Sequence, residues 1–99
     1  MSPWNNHVSY LFSRTSIGLN APQQSGVYVL HSSRKTWVYV GESDNIRAQL
    51  IELLNGGNAC LTVFPHLMFS YEIVPSATRV WRQEDLVKEL QPICNQWAG

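Results

Sequence analysis

The stretch that most constrains this chain runs from Gly26 to Leu54: Gly26-Val27-Tyr28-Val29-Leu30-His31, a polar turn, Trp37-Val38-Tyr39-Val40-Gly41, then a helix-forming segment. Two short apolar runs joined by a polar turn read as an antiparallel hairpin. With Ser33-Arg34 as a two-residue turn, position 30 pairs with 37 and position 28 with 39, so Tyr28 stands directly opposite Tyr39. The same register sets Val27 opposite Val40 and Val29 opposite Val38 on an aliphatic face. Tyr, Leu and Trp share the other face. The turn lacks an Asn-Gly signal, so the matching of faces sets the register, and a one-residue slip would separate the tyrosines.

The hairpin feeds into a helix. Ser43 or Asp44 offers its N-cap. Ile46, Leu50, Leu53 and Leu54 recur at helical spacing as a buried stripe, with Ile51 widening it. Gln49 lies at the edge of that stripe. Asn55-Gly56-Gly57-Asn58 ends the helix, because glycine takes the left-handed conformation at little cost. Residues 59–66 are apolar and short, and fit a helical turn or extended chain equally. Leu67 to Val74 reads as a third strand, with Phe69, Tyr71 and Ile73 on one face and Met68, Ser70, Glu72 and Val74 on the other.

Pro75-Ser76 breaks that strand, and Ser76 caps a second helix from Ala77 to about Leu90, stopped before Pro92. Val80, Val87 and Leu90, flanked by Trp81 and Leu86, supply its core side. The first 24 residues carry Trp4, Val8, Tyr10, Leu11, Phe12, Ile17 and Leu19 between polar residues, too apolar for a free tail. They read as an irregular cover over an open side of the core. The segment from Pro92 to Trp97 folds back onto the body. The expectation is a single α+β domain over residues 1–99, with a small three-stranded, mainly antiparallel sheet flanked by helices.

Charge narrows the function classes. Seven basic residues balance seven acidic ones, whereas duplex binding is driven largely by basic charge displacing counterions. No run approaches a membrane span, and the N-terminus has neither a basic region nor an apolar core, so a cytoplasmic protein without a membrane partner is expected. Cys60 and Cys94 are too few for a disulfide framework and read as buried thiols. His7, His31 and His66 share no metal-ligand spacing with them.

Gly26-Val27-Tyr28, then Tyr39-Val40-Gly41, then a helix, resembles the two signature strands of the GIY-YIG nuclease superfamily. The ending is similar too: a final helix with Leu86-Val87-Lys88, then Pro92, and Asn95 three residues later. The resemblance covers roughly residues 25–96. It implies tyrosines in a concave site, one helping to deprotonate a water, an arginine from the first helix on the phosphate, and a glutamate from the last helix holding magnesium or manganese. A metal can both position a nucleophile and neutralise phosphoryl oxygens. Carried over by position, Tyr28 and Tyr39 are present as the candidate catalytic pair. At the arginine position, ten residues after the second tyrosine, stands Gln49; at the glutamate position, twelve before the asparagine, stands Gln83. Neutral amides are poor ligands for a hard cation and cannot neutralise a phosphate.

The expectation that follows is a degenerate GIY-YIG-like domain with no metal cofactor. It would keep a tyrosine-lined pocket for a ligand, nucleic acid or protein partner, with Gly41, Arg79 and Arg82 as binding residues. The two arginines flank the helix face bearing Gln83, and otherwise read as surface partners of Asp85 and Glu89. The alternative is a divergent DNA endonuclease using Tyr28 and Tyr39 with a shifted carboxylate, Glu84 or Glu42. Glu84, one residue after Gln83, would be rotated about 100° around the helix; its plain reading, like that of Glu42 and Glu52, is a surface charge. A structural or partner-binding module is the third reading.

Overall fold

A computed structural model gives the structure of the chain and describes residues 3, 4 and 6–96. In order the elements are β1 (Tyr10–Leu11), α1 (Arg14–Asn20), β2 (Gly26–His31), β3 (Trp37–Ser43), α2 (Ile46–Glu52), β4 (Met68–Ile73) and α3 (Arg79–Leu90). A π turn over Leu53–Gly57 and 3-10 turns over Ala59–Val63 and Ile93–Asn95 complete them. The strands form one antiparallel sheet in the order β1-β4-β2-β3. The α+β class is therefore as expected, with four strands rather than three. The fourth comes from the N-terminal segment read as irregular: β1 pairs Tyr10 with Phe69 and Leu11 with Met68. Helix α1, capped by Ser13 accepting from the Ser16 N–H, buries Ile17.

Every residue of β2 is buried, as a central strand requires. Its register with β3 differs from the expectation by two residues: Tyr28 faces Gly41 and Leu30 faces Tyr39. The cause lies at the hairpin tip. Ser32 takes its N–H to the Thr36 carbonyl and accepts the Arg34 and Thr36 N–H groups on its hydroxyl, closing a loop longer than a two-residue turn. Lys35 turns that loop with φ 66. The register then shifts between Leu30 and His31, a bulge that reverses the alternation. Trp37 joins the valine side, and Val38 the tyrosine side, contrary to the expected faces.

Two cores result. Under α2, Ile46 and Leu50 pack with Tyr28, Leu30, Phe69, Ile17 and Leu53. On the other face Val27, Val29 and Val40 pack with Val74 and with Leu86 of α3. Both helices start later than expected. Asn45, not Ser43 or Asp44, caps α2 by accepting from the Ala48 N–H, while Ser43 braces Asn45. Ser76 caps nothing: a turn from Pro75 to Thr78 delays α3 to Arg79, leaving Val80 and Trp81 exposed.

Cys60 and Cys94, expected as separate thiols, form a disulfide across 34 residues. The fold-back of the chain after Pro92 brings their Cα atoms to 5.7 Å, within bridging range. Trp97, the end of that expected fold-back, lies outside the described residues.

Candidate functional site

Residues paired across a sheet share a face. Tyr71, Tyr28 and Gly41 form one row, and Phe69, Leu30 and Tyr39 the next. Tyr28 and Tyr39 are therefore diagonal neighbours on one face, with ring centroids 6.3 Å apart and planes tilted by 41°. Tyr28 is 2% exposed, and its ring crosses Gly41 so closely that a Cβ there would lie 2.2 Å from the hydroxyl. The glycine is thus required by the tyrosine. Burial pushes the Tyr28 phenol well above its usual range, and Tyr39, Glu42 and Glu52 push it further the same way. Burial also raises Tyr39.

Val40, between Tyr39 and Gly41, is held from outside the sheet. Its N–H donates to Asn95 Oδ1 at 2.7 Å, and its carbonyl accepts from Asn95 Nδ2 at 2.8 Å. Gln83 Nε2 donates to the same carbonyl at 3.4 Å. The last helix and the Pro92–Asn95 ending are thereby tied to the second tyrosine triplet. Asn95 is the residue that sequence reasoning undervalued; its spacing after Pro92 was the available signal. Gln49 lies half-buried on α2, one residue before the buried Leu50.

The candidate carboxylates and arginines sit elsewhere. Glu42 and Glu72 flank Val27 in one row on the valine face. Arg79 binds Glu42 through Nε and donates to Ser25 Oγ at 3.0 Å. Arg82 pairs with Glu72 at 2.7 and 3.0 Å, and this hydrogen bonding is the main cause of its raised pKa. The arginines clamp α3 to the sheet, where Asp85 and Glu89 had been the expected partners. Glu42 is a strand residue in an ion pair, not a loop charge. Glu84 is exposed. Among the described residues no three His, Cys, Asp or Glu side chains cluster as a metal site. Three cavities, of about 250, 420 and 180 Å³, are lined by residues other than Tyr28 and Tyr39.

The magnesium-bound GIY-YIG N-terminal endonuclease domain of UvrC from Thermotoga maritima matches this structure with TM-score 0.67. The match covers 83% of this chain and 93% of that one, at 21% identity. The fold is that of the GIY-YIG nucleases. An asparagine-to-alanine point mutant of that domain, bound to its catalytic divalent cation, matches with TM-score 0.65 at 20% identity, over 81% of this chain and 90% of that one. No family model matches the sequence, and no curated protein does. Within the GIY-YIG fold, the paired strands here are β2 and β3, and α2 and α3 carry the two glutamines. Among the described residues no helix is long and apolar enough to cross a membrane.

Proposed function

We propose that this chain is a GIY-YIG-fold binding domain that does not carry out metal-dependent phosphodiester hydrolysis. The observation that carries the reading is Gln83, an amide at the glutamate position, spent as a donor on the Val40 carbonyl beside Asn95. A hard divalent cation takes charged oxygen ligands, and the carboxylate of Glu42 lies on the valine face against Arg79. This donor set does not fit a catalytic cation. The phenols support the same reading. A tyrosine acts as a base only as phenolate, and burial with nearby carboxylates favours the neutral form of Tyr28.

The partner contacts the half-exposed Tyr39 side of the tyrosine face. With Arg79 and Arg82 engaged by glutamates and Arg47 Nε held by the Ala21 carbonyl, a polypeptide or uncharged ligand fits this surface better than a phosphate backbone. A cytoplasmic setting belongs to the proposal, and the Cys60–Cys94 bridge pulls against it, because cytosolic thiols are kept reduced. Counting free thiols in protein taken from cells decides that point.

Purified protein incubated with branched, nicked and linear DNA, with magnesium or manganese, is expected to leave every substrate intact. Metal-dependent cleavage that disappears in Tyr39→Phe overturns the reading. The second reading, a divergent endonuclease, is favoured by one observation: Glu42 and Glu52 lie within electrostatic reach of Tyr28. Manganese diffused into crystals and found at coordination distance from Glu42 or Glu84 would establish it.

A further inference from the structure

The valine face holds a cavity of about 180 Å³ that the proposed function does not use. Ser70 of β4, paired with Val29, and His31 at the end of β2 form its floor. Trp37 stands edge-on to His31 at 5.7 Å, Trp4 arrives from the N-terminal segment, and Lys35 and His7 lie at the exposed margin. Two residues that line this cavity each carry a buried polar atom with no hydrogen bond among the described residues: Trp4 Nε1 and Ser70 Oγ. Ser70 is only 1% exposed. Leaving a buried donor or acceptor unpaired costs roughly 1–3 kcal/mol, so two in one cavity point to a partner that enters from solvent.

The neighbouring groups define that partner by elimination. His31 Nδ1 lies 2.8 Å from the Ser32 carbonyl oxygen, which only accepts, so this nitrogen carries a proton. Nε2 lies 2.8 Å from the Ser9 hydroxyl, which donates to it when the ring is neutral. Both ring nitrogens are therefore committed. Asn6 is spent as well, donating to the Tyr71 carbonyl and accepting the Val8 N–H. What remains is an indole N–H that can only donate, a serine hydroxyl, the Lys35 ammonium and the His7 imidazole at the margin. No Asp or Glu lines the cavity. The nearby Glu89 carboxylate accepts the Trp4 backbone N–H instead.

We infer that this cavity binds a small molecule bearing an oxyanion, a carboxylate or a phosphate. The anionic group accepts from Trp4 Nε1 and Ser70 Oγ, and Lys35 meets its charge. Trp4 and Trp37 supply the apolar walls for a short carbon body. The volume falls below the roughly 300–1,000 Å³ of sites for drug-sized ligands, which excludes a whole nucleotide. The site lies across the sheet from the tyrosines and stands whether or not the domain cleaves DNA.

The test is a titration of the full ¹⁵N-labelled chain with sodium phosphate and, separately, sodium acetate, at ionic strength held constant with chloride. A saturable downfield shift of the Trp4 indole N–H resonance is expected, assigned by its disappearance in Trp4→Phe. Lys35→Gln and Ser70→Ala should each weaken the response at least threefold while the remaining amide spectrum stays folded. A response to phosphate alone assigns a phosphate ligand, and one to acetate alone a carboxylate. No saturable shift with either anion, or a shift that both substitutions leave unchanged, overturns the inference.

Discussion

The two faces of the sheet divide their polar groups differently. All four tyrosines belong to the face under α2, among Ile46, Leu50, Phe69 and the bridged cysteines. Of the charged side chains, Glu42 and Glu52 act on the Tyr28 hydroxyl, and both make it harder to ionise. The valine face carries neither signature tyrosine, yet among the described residues it holds two ion pairs and two unpartnered buried polar atoms. On this chain the signature tyrosines and the unpartnered buried polar atoms lie on opposite faces of the sheet. A motif identifies a fold without fixing the electrostatics around it.

The largest expected effect tests how far the tyrosine face depends on its bridge. Closing a loop of this length contributes about 3–4 kcal/mol in the chain-entropy model. Cys94→Ser should therefore lower the unfolding free energy by that order in urea melts, with hydrogen-exchange protection lost first around Ala59–Val63 and Ile93–Asn95. An unchanged midpoint would mean that packing alone fixes this face.

A smaller effect tests the row Tyr71-Tyr28-Gly41. Gly41→Ala drives a methyl into the Tyr28 phenol and should destabilise by about 1–3 kcal/mol, the range for overpacked cores. Adding Tyr28→Ala to that variant should recover part of the loss that the two single changes would sum to. Strict additivity would show that the two residues do not meet.

The smallest effect at ordinary pH is the ionisation of Tyr28. Its folded pKa lies above the unfolded value of 10.0, so the stability it contributes is complete below pH 10 and is lost as pH rises beyond it. The slope approaches about 1.4 kcal/mol per pH unit for one group. In an absorbance titration, part of the phenolate signal should appear only with alkaline unfolding, and Tyr28→Phe should flatten the stability loss. A loss that persists in Tyr28→Phe would move the cause to Tyr39, which burial also raises.

What the sequence disclosed follows the range of the forces involved. The strand pair and both main helices rest on local periodicity and were legible, whereas the tyrosine–glutamine set came from the resemblance to the GIY-YIG superfamily. Register was not, because Ser32 hydroxyl bonds lengthen the hairpin tip and the resulting bulge exchanges Trp37 and Val38. Strand β1 escaped because two residues carry no period. The pairs Arg79–Glu42 and Arg82–Glu72 and the Cys60–Cys94 bridge depend on where α3 and the following turn dock, which no local pattern encodes.

Asn95 has a consequence beyond holding Val40. Strand β3 ends the sheet, and an end strand offers bare N–H and C=O groups to any passing extended chain. The Asn95 carboxamide meets one such pair of groups with an oxygen and an NH2, as a neighbouring peptide would. It serves as a one-residue stub of a fifth strand, blocking addition at that edge. Since Cys94 anchors the stub, reduction of the bridge would loosen it and offer β3 to a second copy, making self-association sensitive to the thiol state of the surroundings.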